Sequence, residues 1–531
     1  MGSSQVTNGS GRYDVVVAGG GHNGVVAAIL AAQAGKSVLL LERADHLGGA
    51  SVGERVFRGQ AARLSRYSYL VSLFPDELVQ RLGITLPLAS RAVSSYTPTL
   101  REGVPSGLLV ERRPTSVTED SFRALTGGDT EWQAWQQLYG ELSELAQVVA
   151  PALLGPLRRR SEVRRAVIDR AGGQIWEDLA ERPISEMITR RFADDTVRGV
   201  VATDALIGTF TSLADESLLA NRCFLYHLIG RGTGEWHVPV GGMGALADAL
   251  TARARALGVE IRCGVQVDQV AESAKGVSIA GTGSGGGAVE VEAGSLLAAV
   301  APVIVDGWLG RESPGAKPEG AQLKINMLLD RLPKLASGID PVTVFDGTTH
   351  LEEGYEQLEA AYRAAAAGEV GEFLPAEVYC HSLSDPSILD GHRGHTLTLF
   401  GLHAPARLFA EDPAGAKARV AAAALASLQR HLAEPLEDCL SRDKDGWLCV
   451  DIASPLDVES SVGMPGGHIF HGDLTWPWLE DDEEAGTAAA RQGVTVPGTS
   501  RILLAGSGSR RGGGVSGLGG LAAVSALLDE G

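Results

Sequence analysis

Cysteine is scarce and scattered. The 531 residues contain five, Cys223, Cys263, Cys380, Cys439 and Cys449, and no two stand in a C-x-x-C spacing. An odd, unpaired set excludes a disulfide framework and removes a dithiol redox centre from the available chemistries. Reduced thiols in a cytoplasmic protein are the expectation. Long apolar runs are also missing: no stretch reaches the ~18 residues that a spanning helix needs. Residues 1–12 are rich in Gly and Ser without an apolar run, which argues against a signal peptide and predicts a disordered N-terminus. Positive charge is in the minority, with Lys+Arg 46 against Asp+Glu 65 and a net charge of −19. That balance excludes nucleic acid as a partner and gives no surface for an anionic membrane, although peripheral contact through an apolar patch stays open. Aromatic residues make up 5% of the chain, too few for a stacking platform. The histidines form no H-x-x-x-H on a helix, so no metal site is expected.

Glycine is abundant, and its placement is informative. Residues 13–18 (YDVVVA) form a continuous apolar strand that runs into Gly19-Gly20-Gly21-His22-Asn23-Gly24. In G-x-G-x-x-G the first glycine makes the tight turn. The second lets a pyrophosphate approach the backbone, and the third lets the helix pack on the strand. The helix start then offers free N–H groups and a positive partial charge to phosphates. Glu42 ends the next strand, about 20 positions on, where an acid binds a ribose hydroxyl. Just beyond it, Arg43 leads into Gly48-Gly49-Ala50-Ser51, a second glycine pair whose backbone can run along adenosine and pyrophosphate. At the other end of the chain, the strand 502–505 meets Gly506-Ser507-Gly508. Then Gly512-Gly513-Gly514-Val515-Ser516-Gly517 opens a last helix, 521–528. Two such brackets suit a resident FAD better than an exchanging NAD.

Between the brackets the organisation is discontinuous. Residues 13–42 read as β-α-β, with the helix 25–34 stopped by Gly35 and a strand at 37–41. A helix at 75–82 follows. Residues 91–230 read as mostly helical, including 131–149 and 162–180. The turn 238–244 leads to a helix at 245–257. Strands at 259–263, 265–271, 276–279, 289–291 and 296–301 then form a small meander with a flexible tip at 281–287, ended by Pro302. Strands at 323–329 and 396–402 and a helix at 414–432 lie further on. The expected fold is α/β: a Rossmann-type FAD-binding domain (parallel sheet plus β-meander) from 13–90, 235–305 and 460–531. A discontinuous α+β substrate domain comes from 91–234 and 306–459.

The stretches YDVVVAGGGHNGVVAAILAAQAGKSVLLLERADHLGGAS, WHVPVGGMGALADAL, HSLSDPSIL, SPLDVESSVGMPGGHIFHGDL and ILLAGSGSRRGGGVSG together resemble the phytoene desaturase-like flavoproteins over nearly the whole chain. The resemblance implies non-covalent FAD and oxidation of a hydrophobic, often isoprenoid, substrate. It also implies that Gly19, Gly21, Gly24, Glu42, Gly48 and Gly49 hold the ADP half, with Val267 at adenine. Gly506, Ser507, Gly513, Gly514, Val515 and Ser516 would lie along the ribityl chain and ring. His22 and Asn23 sit in the phosphate loop. The chain departs from the family pattern with Ser507 where an acid is common, and with Arg510-Arg511 where His-Pro is common.

For chemistry, flavin supplies the redox step while protein groups orient and desolvate. His471 is the best base in sequence terms, followed by His468, His237 and Asp385, and Arg510 could steady negative charge on the ring. Tyr67, Tyr69, Phe74, Phe210, Phe224, Tyr226 and Trp236 could line a lipophilic tunnel or form core. The expected function is an FAD-dependent dehydrogenase or desaturase. It would take hydride from a C–H bond of a hydrophobic small molecule, isoprenoid or aromatic, and pass electrons to an acceptor the sequence does not identify. Redox-neutral isomerisation on pre-reduced flavin, or partner binding without turnover, are the alternatives.

Overall fold

A computed structural model describes residues 12–313 and 315–529. The predicted disordered N-terminus lies outside the described residues, except for Arg12, which opens the first strand.

The strand Arg12–Ala18 is the centre of a seven-stranded sheet. It pairs in parallel with Val38–Glu42 on one side and Ala288–Ala298 on the other. Glu260–Cys263 extends the first side and Ile502–Leu504 the second, both in parallel. Ala288–Ala298 also runs on into an antiparallel meander with Gly276–Gly283 and Val265–Ser273. Val15, Val16 and Val17 are buried, as an apolar run covered on both faces should be. The helix His22–Gln33 is buried from Asn23 to Ala31, packed between the sheet, Met243–Ala256 and the final helix Leu518–Asp529. Gly520 permits the last contact: a Cβ there would lie 2.2 Å from the Asn23 carbonyl oxygen.

The second sheet has seven strands in the order Val450–Ala453, Leu323–Leu329, His395–Gly401, Ala376–Tyr379, Thr348–Leu351, Val93–Arg101, Val104–Glu111. All pairs are antiparallel except Thr348–Leu351 with Val93–Arg101. Helices from 116–228 pack beside it and join its core to that of the first sheet.

Several expectations need correction. Residues 93–111 are a β-hairpin, not part of a helical stretch: Glu102 and Gly103 both take positive φ and close a two-residue turn. The helix expected over 162–180 is two, Arg160–Ala171 and Gly173–Ala180, broken at Gly172 with φ 94°. Gly281 and Gly283 belong to the meander ladder, which leaves only 284–287 as its tip. Pro302 starts a helix, Pro302–Trp308, and the last helix begins at Leu518. Among the described residues no helix is long and apolar enough to cross a membrane. All five cysteines are free.

Candidate functional site

The N-terminal turn separates three glycine roles. Gly19 has φ +102°, and a Cβ on it would lie 2.9 Å from the Ala299 carbonyl oxygen. A Cβ on Gly24 would lie 2.0 Å from the Gly19 oxygen, so the helix sits directly on the turn. A Cβ on Gly21 would meet nothing within 4 Å. Protein packing therefore does not demand that glycine; the space above it is open. Gly21 caps the helix without a side-chain bond, leaving first-turn N–H groups free for an anion. The second glycine pair lies against this turn: the Gly48 N–H donates to the Gly20 carbonyl at 2.9 Å, and a Cβ on Gly49 would lie 3.0 Å from Gly21 Cα. Glu42 accepts from the N–H groups of Gly20 (2.6 Å) and Ala44 (2.7 Å), which fixes its carboxylate beside the loop. Ser51 is buried, and the Ser68 hydroxyl donates to the Ala50 carbonyl at 2.7 Å. Arg43 is exposed and reaches Gly463. The Val267 side chain is buried in the core beneath the sheet, next to a β-bulge.

The C-terminal bracket meets this turn. His22 Nε2 donates to the Gly514 carbonyl at 3.1 Å, and Asn23 Nδ2 lies 3.4 Å from Ser507 Oγ. Gly514, with φ +75°, also faces open space, whereas Gly512 is pressed by Tyr226 and Gly513 by Phe470. Ser516 Oγ accepts from the Leu518 N–H and caps the final helix; Val515 is buried. Two buried polar atoms at this junction have no protein partner, Asn23 Oδ1 and His471 Nδ1. Open space above two glycines, free helix N–H groups and unpartnered polar atoms between them fit a dinucleotide laid across both ends of the chain.

His471 is half-buried with φ +66°, and its Nδ1 lies 3.3 Å from where a Gly506 Cβ would stand. Burial pushes its imidazole down to about 4, so it stays neutral and is a weak base at neutral pH. His22 is likewise held at about 4 by burial. His468 Nδ1 accepts from the Phe470 N–H. Arg510 corrects the expectation of a ring-side cation: its guanidinium is committed to Glu483 and the Trp478 carbonyl. Arg511 is the buried one, bonded to Gln492 at 2.8 Å with Nε and Nη1 unpartnered. Asp385 is spent on turns, accepting from Gly241 and Ser387, and His237 bonds the Glu235 carbonyl.

A cavity of about 320 Å³ opens beside the second sheet. Tyr69 and Leu70 are part of its wall, and they directly follow Ser68 with its bond to Ala50. Tyr69 and Trp236 line it, joined by Trp135 and Tyr139. Phe74, Phe224 and Tyr226 belong to the core, and Phe210 packs on Tyr362 and His403. The Tyr69 and Tyr379 rings pack tilted at 47° with centroids 4.9 Å apart, and Lys324 Nζ sits 4.6 Å above the Tyr69 ring while donating to the Ser65 and Tyr67 carbonyls. Burial holds that amine well below its ordinary pKa.

The cavity wall carries carboxylates that no motif announced. Glu235 is tied to Arg112 and Ser90, and Glu111 to Thr115 and Thr118. Glu377 takes the Tyr379 hydroxyl. Asp204 is perturbed by burial alone, which raises its carboxyl to about 7. Glu377 and the adjacent Glu353 are both raised by burial. The available sequence signal was a charged residue inside an apolar strand, as in LPAEVYC or LKINMLL. Their convergence needed the sheet order.

A family model described as FAD dependent oxidoreductase matches residues 14–125. An uncharacterized protein of Mycobacterium tuberculosis is 43% identical over 97% of both chains. Pyridine nucleotide-disulfide oxidoreductase domain-containing protein 2 of Rattus norvegicus is 29% identical over 96% of this chain and 92% of its own. Among solved structures, an oxidoreductase from Methanosarcina mazei matches with TM-score 0.57 at 14% identity, covering 97% of this chain and 99% of that one. A putrescine oxidase matches with TM-score 0.54 at 17% identity over 98% of both. The family model falls on the first glycine bracket, the solved structures share the Rossmann-type fold, and the protein is an FAD-dependent oxidoreductase.

Proposed function

We propose that the protein oxidises a small, largely apolar molecule held in the cavity beside Tyr69. One observation carries this reading: Tyr69 in the cavity wall directly follows Ser68, whose hydroxyl is bonded to the carbonyl of Ala50, the residue after the second glycine pair. Bound FAD supplies two-electron acceptance from a substrate C–H bond. The backbone at Gly21, His22 and Asn23 would take the pyrophosphate, Glu42 the ribose, and Gly514 and Val515 the ring end. The rings of Tyr69, Tyr139 and Trp236 would orient an apolar substrate and exclude water. Asp204 is the best proton acceptor, because the carboxylates that line the cavity with it, Glu111, Glu235 and Glu377, are held by side-chain partners while its own is not. Free cysteines and the absence of a spanning helix among the described residues support a cytoplasmic setting.

Anaerobic titration of the yellow protein tests this. A panel of isoprenoids, alicyclic and linear amines, and secondary alcohols should contain at least one compound that bleaches the flavin band. Asp204→Asn should slow bleaching by about 10²-fold or more with FAD content unchanged. Full FAD occupancy with no bleaching by any compound would overturn the proposal. Product formed without acceptor consumption would assign isomerisation instead.

A further inference from the structure

We propose that His350, Glu353 and Glu377 bind one divalent transition-metal ion, of the Zn²⁺ or Mn²⁺ type, in the wall of the cavity. One ligand atom from each lies within 4.8 Å of those of the other two. All three side chains are more than nine-tenths buried. His350 and Glu377 are direct cross-strand partners on the antiparallel pair Thr348–Leu351 and Ala376–Tyr379, so they share one face of the sheet. Their near atoms, His350 Nε2 and Glu377 Oε1, are 3.8 Å apart, a separation that one ion at ~2.1 Å from each can bridge.

The outer atoms are already fixed. Thr97 Oγ1 holds His350 Nδ1 at 3.1 Å, and the Tyr379 hydroxyl holds Glu377 Oε2. This is how metal ligands are oriented: the remote atom takes a hydrogen bond and the near atom is left free. Glu353 is the independent sign. It is 1% exposed, neither of its carboxylate oxygens has a partner in hydrogen-bonding geometry, and the neighbouring Thr203 hydroxyl is likewise unpartnered. It is turned inward after Glu352, which has φ +54°, and its carbonyl is clasped by the helix Asp195–Thr203 at Gly199, where a Cβ would stand 1.8 Å away. Carboxylate oxygens only accept, so Glu353 and Glu377 cannot satisfy each other without a cation or a proton.

An imidazole with two carboxylates favours Zn²⁺, Mn²⁺, Fe²⁺ or Co²⁺ over Mg²⁺ and Ca²⁺. His350 and Glu377 also line the cavity, so further positions on the ion would face water or a bound molecule. No local spacing announces this set, because its members come from two strands and a turn, not from one helix.

The FAD-loaded protein is stripped with chelator, and binding of Zn²⁺, Mn²⁺ and Mg²⁺ is followed by calorimetry, elemental analysis and melting temperature. The expected result is one equivalent of Zn²⁺ or Mn²⁺, a raised Tm, and no effect of Mg²⁺, all with unchanged FAD absorbance. Glu353→Gln keeps the shape and should weaken the ion about tenfold or more. It should also raise the Tm of the stripped protein, because it replaces a buried carboxyl without a partner by an amide that can donate to Glu377; His350→Gln gives a second check on affinity. No stoichiometric uptake by the wild type, or equal uptake by both variants, overturns the site. Protection by putrescine but not by metal ions would assign the cluster to an ammonium ligand, and the metal proposal would fall.

Discussion

Gly21 and Gly24 occupy one turn for opposite reasons. At Gly24 the obstacle is backbone, 2.0 Å from an added Cβ; at Gly21 there is no protein obstacle within 4 Å. Gly24→Ala is therefore expected to destabilise the folded chain itself, by about 1–3 kcal/mol or more. Gly21→Val is expected to fold with the melting temperature of the FAD-free wild type and to be purified colourless. Paired melting curves and flavin absorbance separate the two, and a yellow Gly21→Val protein would remove the pyrophosphate from this turn. Glu42 has a double duty, because its carboxylate already accepts from Gly20 and Ala44. Glu42→Gln should weaken FAD binding by ~1.5–3 kcal/mol and also lower the Tm of the FAD-free protein. A loss confined to FAD affinity would mean that the loop does not depend on those two bonds.

At the scale of elements, legibility followed locality. The β-α-β unit over 12–42 was readable because strand, turn and helix each carry their signal within a few residues. The meander was readable for the same reason. The hairpin Val93–Arg101 with Val104–Glu111 was missed because polar Ser and Thr alternate there without a strong apolar face, and its Glu102-Gly103 turn is not one of the commonest turn pairs. The Gly172-Gly173 break was visible in principle, but helical periodicity on both sides concealed it. The carboxylate cluster was legible only as a charged residue inside an apolar strand, Glu377 in LPAEVYC, with nothing to mark its partners. His350 and Glu377 meet only because their strands pair, and nothing local encodes that pairing. Close crossings between distant elements are equally silent in the sequence. Gly520→Ala should push the final helix off the first, costing about 1–3 kcal/mol and loosening the loop 506–517 that it anchors. A melting temperature within 1 °C of wild type would show that the helices can slide apart freely.

Across the whole molecule, buried histidines set the acid limit. His22, His227 and His471 are held at about 4 by burial, and His381 and His403 at about 3. The unfolded chain takes up these protons below about 6.5; the folded chain resists until near 4. Folded pKa values below unfolded ones mean that stability is intact above about pH 7 and declines as pH falls from 6.5 towards 4. The Tm of the FAD-free protein should drop progressively through that window. A flat profile down to pH 4.5 would mean that these rings gain partners or water on protonation. His403, between Phe210 and Tyr362 with both ring nitrogens unpartnered, is the most exacting of the five.

The bond from His22 to Gly514 has a consequence for biosynthesis. The phosphate-binding turn at 19–24 is synthesised hundreds of residues before the strand and loop at 502–517 that complete its roof. A nascent chain thus exposes half a berth over most of that interval. Loading must wait until the roof has emerged, and a chain truncated before residue 500 would carry the fingerprint without the contacts that close over the nucleotide.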